Sequence, residues 1–282
     1  MKLTEGIRHI IKSINPVYTE QEGSSIARLL VEHLGYKSGP VARIENKDLE
    51  EFEISQLEHW IKDLLTNKPV QYVLRYSWFM DRKIFVNENC LIPRQETEEI
   101  VLEILKNTEK TFSGNILDIG TGSGCISVSL AMELNFAQIF ASDISKGALE
   151  VAQRNSFINN VNIEFLHDDV LDPDYSKFPA FDLIVSNPPY VRLLEREKMQ
   201  SNVLDFEPSD ALFVPDNDPL LFYKAIIEFS IKKLNKGGKL YLEINEVFGE
   251  EIKIVLHQNG FINITLIKDI HGKDRIIKAQ KL

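Results

Sequence analysis

Apolar positions along this chain keep two different rhythms. As far as about Arg75 they recur with a helical period, over Ile7–Ile14, Ser24–Leu34, Asp48–Phe52 and Ile54–Leu65, and Gly35–Pro40 and Asn67-Lys68-Pro69 punctuate them. This predicts a small N-terminal helical bundle. Beyond it, short apolar runs bounded by turn residues alternate with helical segments. The runs are Asn115–Ile119, Ala137–Ser142, Val161–Leu166, Phe181–Ser186, Lys239–Ile244 and Asn263–Lys268; the helices between them include Cys125–Leu134, Leu220–Leu234 and Glu250–His257. Such alternation predicts an α/β fold, doubly wound, around a mainly parallel sheet. The turn Asp269–Lys273 is too short for a crossover, so Arg275–Ala279 is expected to return antiparallel.

Two stretches carry candidate chemistry. The first, Asn115-Ile116-Leu117-Asp118-Ile119-Gly120-Thr121-Gly122-Ser123-Gly124, is a strand that runs into a glycine loop at a helix start. Glycines there let a ligand approach the backbone at a helix N-terminus. The spacing is Gly-x-Gly-x-Gly, whereas a dinucleotide fingerprint is Gly-x-Gly-x-x-Gly, so the fit to a pyrophosphate is imperfect. Asp118 either accepts from a cationic amino group or orders the loop; a diphosphate would not welcome it. About twenty residues on, Asp143 with Ile144 ends the second run, where a carboxylate bonds ribose hydroxyls or caps the helix beginning near Ser145. After the third run, Asp169 and Val170 follow His167-Asp168, where side chains can meet an adenine.

The second stretch, Asn187-Pro188-Pro189-Tyr190, directly follows the run Phe181–Ser186. Its prolines either end a strand or hold a carbonyl rigidly where no backbone N–H competes. If the fourth strand lies beside the first, Asn187 faces the crevice that holds the glycine loop. The Asn187 side-chain oxygen and the Pro188 carbonyl would then each accept one N–H of a planar nitrogen, and the Tyr190 ring would offer a face for it. A carboxamide nitrogen or an exocyclic aromatic amine both suit such a clamp. Asn187, Pro188 and Tyr190 form the candidate catalytic set, with Pro189 joining them in substrate binding.

The chain resembles class I S-adenosylmethionine-dependent methyltransferases, and most closely the HemK-type protein-(glutamine-N5) methyltransferases. The resemblance rests on Asp118–Gly124 and Asn187–Tyr190, on Lys68-Pro69-Val70-Gln71-Tyr72, and on the hairpin-like segment Trp78–Cys90. It extends through Leu91-Ile92-Pro93-Arg94-Gln95-Glu96-Thr97-Glu98, Phe206-Glu207-Pro208, Lys268-Asp269 and Asp274-Arg275. It implies a seven-stranded Rossmann-like sheet, S-adenosylmethionine as methyl donor, and methyl transfer to the Gly-Gly-Gln glutamine of peptide chain release factors. It further implies a cofactor site of Asp118, Gly120, Thr121, Gly122, Ser123, Gly124, Asp143, Ile144, Asp169, Val170 and Asn187. Expected boundaries are 1–75 for a helical substrate-recognition domain, 76–92 for a hairpin linker and 93–282 for the methyltransferase domain. The chain departs from the family at Val170, where an aromatic often faces the adenine, and at Asn245, where a glycine is common.

Charge narrows the acceptor. The net charge is −10, yet the first 75 residues hold ten Lys/Arg against eleven Asp/Glu, so the acid excess lies in the catalytic half. Duplex nucleic acid demands a basic face. Adenine-N6 methylation of DNA or RNA is therefore the second reading, and a non-catalytic binding module, with no need of both motifs in order, the third. Cys90 and Cys125 have no partners at metal-ligand spacing, and the six histidines form no ligand pattern, so neither a metal nor a disulfide is expected. No signal peptide or membrane-length apolar run is visible, and a cytoplasmic enzyme is expected.

Overall fold

The helical rhythm of the first part folds as α1 (Leu3–Ile14), α2 (Glu20–His33), α3 (Pro40–Glu45), α4 (Glu51–Leu65) and α5 (Val70–Leu74). Local chemistry sets their starts. Thr19 caps α2: its hydroxyl accepts from Glu22 N at 3.3 Å while the Glu22 carboxylate accepts from Thr19 N at 2.9 Å. The helix expected over Asp48–Phe52 does not exist as a separate element. Lys2 and Asp48 form an isolated antiparallel bridge, and α4 starts only at Glu51, where Glu53 accepts from Glu50 N at 2.8 Å. An unexpected short helix, α3, follows the punctuation at Gly35–Pro40, because Pro40 at its first turn supplies a helical φ. Leu3, Ile10, Ile14, Leu30, Leu57 and Leu64 are fully buried at the centre of these helices. Each contributes about 1.5–3 kcal/mol relative to exposure.

The computed structural model describes residues 1–282, apart from the side chain of Arg43. They form two compact units, Met1–Arg75 with Gln200–Phe206, and Tyr76–Met199 with Glu207–Leu282. Two boundaries differ from the sequence expectation. The hairpin of β1 (Tyr76–Phe79) and β2 (Arg82–Phe85) belongs to the second unit and is no linker, and the later segment Gln200–Phe206 packs with the first. A short helix within that segment carries the half-buried Val203, Leu204 and Phe206, and chain order does not reveal which unit it packs with.

The second unit continues as α6 (Gln95–Lys106), β3 (Asn115–Ile119), α7 (Cys125–Glu133), β4 (Gln138–Asp143), α8 (Lys146–Ile158), β5 (Glu164–His167) and β6 (Phe181–Ser186). Then come β7 (Val191–Arg192), α9 (Ser201–Phe206, of the first unit), β8 (Phe213–Val214), α10 (Leu221–Lys233), β9 (Leu234–Glu243), α11 (Gly249–Gln258), β10 (Phe261–Lys268) and β11 (Asp274–Lys281). Seven strands form one sheet in the order β10-β11-β9-β6-β3-β4-β5. All are parallel except β11, which runs antiparallel to both neighbours and lies between β9 and β10. The chain moves outward from β3 to β4 and β5, then returns to the other side of β3 as β6. That reversal opens a crevice at the carboxyl ends of β3 and β6. A core of Phe140, Phe181, Ile184, Tyr223, Phe229, Leu240, Leu242 and Phe261 lies against one part of the sheet. No helix among the described residues is long and apolar enough to cross a membrane.

One fully buried polar side chain ties the hairpin to the glycine loop. Asn155 in α8 accepts from Phe85 N at 2.7 Å and donates to Phe85 O and Ser123 O, both at 2.8 Å. Asn155→Leu keeps the volume but strands one donor and two acceptors. Unpaired buried groups cost about 1–3 kcal/mol each, so the variant is expected to lose at least about 3 kcal/mol in denaturant unfolding. A loss below about 1 kcal/mol would contradict this account.

Candidate active site

A cleft of about 630 Å³ opens outside the carboxyl ends of β3, β4 and β6, and its lining includes Gly120–Ser123, Asp143, Ile144, Asp169, Val170 and Ser186–Pro189. Its size suits a small-molecule site, roughly 300–1,000 Å³. Gly120, Gly122 and Gly124 have φ of 70°, 54° and 78°, a region that favours glycine. A Cβ on Gly120 or Gly122 would meet nothing within 4 Å, so their faces are open, whereas one on Gly124 would sit 3.0 Å from Ala152 Cβ. The first two glycines thus leave room for a ligand, and the third lets the loop close on α8. The loop is held by Gly120 N and Thr121 N donating to Ser142 O at 2.9 and 3.0 Å.

Asp118 orders this loop from below and does not line the cleft. Its Oδ2 accepts from Thr121 Oγ1 at 2.7 Å and from Ser127 N at 3.2 Å, while Oδ1 is buried without a partner. Of its two expected roles, loop ordering is the one these bonds serve. Burial pushes its carboxyl up to about 6. Asp143 accepts from Gly122 N at 2.8 Å and from Ser145 N at 2.9 Å, and burial also raises its pKa. Ser145, not Asp143, caps α8, accepting from Ala148 N at 3.2 Å. A carboxylate has about four acceptor positions, so Asp143 keeps capacity for further donors. Ile144 is exposed at the cleft, and its carbonyl is 2.8 Å from His167 Nε2. Asp169 accepts from Leu171 N at 2.9 Å, and Val170 packs against the core beside it.

On the opposite wall, Pro188 and Pro189 line the cleft beside Asn187. The Asn187 amide is not free: Nδ2 donates to Thr97 Oγ1 at 3.1 Å. Thr97 in turn donates to Glu243 Oε2 at 2.7 Å, and Tyr190 OH donates to Glu243 Oε1 at 3.0 Å. The expected role of Tyr190 therefore needs correction. Its ring packs on the core, its hydroxyl is bonded to Glu243, and it is absent from the residues that line the cleft. Residue pattern had not singled out Thr97 or Glu243 for the site. The visible signal was a carboxylate ending the apolar strand β9, together with a threonine in the Leu91–Glu98 stretch. Arg94, just before α6, lines the cleft and pairs with the buried Glu207 at 2.6 Å; Glu207 also accepts from Ile92 N at 3.1 Å. The buried side chains of Cys90 and Cys125 line the same cleft.

Residues 96–205 match the methyltransferase small domain family. A release factor glutamine methyltransferase of Flavobacterium psychrophilum is 42% identical over 273 residues, 95% of either chain. One from Bacteroides thetaiotaomicron is 39% identical over 274 residues, 97% of this chain and 98% of its own. This chain belongs to the release factor glutamine methyltransferase family. A solved methyltransferase from Pyrococcus furiosus shares the class I fold at a TM-score of 0.51 and 20% identity, covering 78% of this chain and 96% of its own.

In this release factor glutamine methyltransferase family member, the raised pKa of Asp118 has a thermodynamic consequence. The carboxyl ionises near 3.8 when unfolded and near about 6 when folded. Its contribution to stability is thus fully present below about 3.8 and is lost as pH rises towards about 6. Melting temperature against pH should fall more steeply across that window in the native protein than in Asp118→Asn. Identical slopes in the two proteins would rule the assignment out.

Proposed function

We propose that this protein transfers a methyl group from S-adenosylmethionine to the side-chain nitrogen (N5) of the glutamine in the Gly-Gly-Gln motif of class I peptide chain release factors, and so modulates translation termination. The observation that carries the reading is Asn187, which lines the cleft with the glycine loop and whose Nδ2 donates to Thr97, leaving the oxygen as the end of the amide able to accept. The relatives named above support a protein glutamine as acceptor, and the acidic balance of −10 argues against a nucleic acid.

The residues present fit the cofactor. Gly120 and Gly122 leave open space against the backbone, Asp118 orders the loop from below, and Asp143 keeps acceptor capacity for vicinal hydroxyls. Thr121, Ser123 and Gly124 complete the loop; Ile144, Asp169 and Val170 would border the base, with aliphatic contact where an aromatic is common. S-adenosylmethionine supplies, when bound, a methyl group on a positively charged sulfur. The glutamine nitrogen is a weak nucleophile because its lone pair is delocalised into the carbonyl. Asn187 Oδ1 and Pro188 O each accept one of its N–H groups, which orients the nitrogen and supports the positive charge that develops on it. Preorganised acceptors in a water-poor site contribute several kcal/mol to such a step. No general base is required, since the methylated cationic amide loses its proton readily.

Tyr190 contributes by holding Glu243, and the N-terminal helical unit, Met1–Arg75, is the proposed recognition element for the release factor. A cytoplasmic location accompanies this substrate. Labelled methyl transfer to a release factor, to its Gln→Ala loop variant and to duplex DNA tests the reading. Label is expected on the intact factor alone; label on DNA but on neither protein would overturn it. Asn187→Ala is expected to lower kcat at least about 100-fold while the Kd for S-adenosylmethionine stays within a few fold. Lost cofactor binding with normal turnover at saturation would remove Asn187 from its role.

A further inference from the structure

Glu243 is a fully buried carboxylate, held by Tyr190, that does not line the cleft. Its two oxygens receive two hydroxyls, Thr97 at 2.7 Å and Tyr190 at 3.0 Å. An ionised carboxylate only accepts, so each hydroxyl must spend its single hydrogen on it. Thr97 then has only lone pairs left for Asn187, 3.1 Å away. The amide is compelled to present Nδ2 to Thr97, and its oxygen is turned elsewhere. The nitrogen and oxygen ends of an asparagine are nearly the same shape, so packing alone does not choose between them.

We propose that Thr97 and Glu243 are positioning residues which fix the Asn187 amide with its oxygen outward, as methyl transfer to an amide nitrogen requires. This rests on the reading of Asn187 as an acceptor for substrate N–H groups. The reverse orientation would put an NH₂ donor against the N–H groups of the acceptor, a donor facing a donor. Within the pair the roles differ. Glu243 sets the direction of the hydrogen bonds, and Thr97 transmits it across to the loop after β6. Tyr190 occupies the second Glu243 oxygen and so keeps the carboxylate from turning away from Thr97.

Thr97→Val separates this role from a structural one, because valine preserves shape and removes only the hydroxyl. A methyl group would then face Nδ2, and rotating the amide to expose Nδ2 to the cleft becomes the favourable remedy. One net hydrogen bond corresponds to about a tenfold bias. With the full-length protein and a release factor, Thr97→Val is expected to lower kcat about tenfold or more, with the Kd for S-adenosylmethionine within about threefold. Thr97→Ser should recover most of the lost turnover. In an Asn187→Ala background, Thr97→Val should lower kcat less than about twofold further, since the amide it orients is gone. Wild-type kcat in Thr97→Val, or an undiminished loss in the Asn187→Ala background, would overturn the proposal. Should Thr97→Val not fold, Thr97→Ala against Thr97→Ser carries the same comparison.

Hydrogen exchange of the Asn187 side-chain amide, assigned by its disappearance in Asn187→Ala, reads the relay without any substrate. Exchange is expected at least about tenfold faster in Thr97→Val than in wild type or Thr97→Ser, and unchanged exchange would overturn the relay. An inactive wild type with this exchange pattern intact would refute the release factor reading alone.

Discussion

The parallel pairing of β6 with β3 sets Ser186 opposite Ile119, and the geometry of the site depends on that register. Both strands end at the same level, so the glycine loop that follows one and the Asn-Pro-Pro segment that follows the other face a single crevice. A slip of one residue would turn every side chain of β6 to the other face and carry Asn187 with it. The apolar run Phe181–Ser186 resists such a slip because Leu183, Ile184 and Val185 are all buried. The hydrophobic effect that stabilises the sheet therefore also aligns its polar ends.

Around that register the protein buries several polar side chains, each of which holds a loop in place. Asp118 holds the glycine loop, Asn155 joins the loop to the hairpin, and Glu243 holds Thr97 and Tyr190 on either side of the Asn-Pro-Pro segment. A buried carboxylate is costly unless its oxygens are satisfied. Glu243 has both oxygens bonded, whereas Asp118 has one, and burial raises the pKa of each. The partly satisfied carboxylate lies beneath the loop proposed to receive the cofactor, which it holds through Thr121 and Ser127. Fully satisfied polar clusters stand where rigidity is needed.

Much of the architecture was legible from local pattern. Alternating strand and helix segments, the glycine loop and the short turn before β11 each follow from properties of adjacent residues, and each appears at its expected place within a few positions. The N-terminal unit was less legible. A proline start produced the short α3 directly after the punctuation at Gly35–Pro40, and Asp48 bridges to Lys2 ahead of α4. The segment Gln200–Phe206 joined a unit that begins two hundred residues earlier, a pairing without local trace. Tyr190 was only partly legible for the same reason: an aromatic beside a reactive segment suits a substrate face, and only the location of Glu243, 53 positions away, shows what its hydroxyl bonds.

The sequence by itself determined which chemical groups stand at the site. A Gly-x-Gly-x-Gly loop, an acid after the second strand and an asparagine followed by two prolines are local features, and short-range sterics are enough to place them at strand ends. The tertiary structure decided how those groups are turned. Asn187 has Thr97 as partner 90 positions away, and Thr97 has Glu243 at a separation of 146. Hydrogen bonds between such distant residues form only once the sheet has brought the elements together. Backbone conformation is biased by neighbours in sequence, but the direction of a buried hydrogen bond is set by neighbours in space.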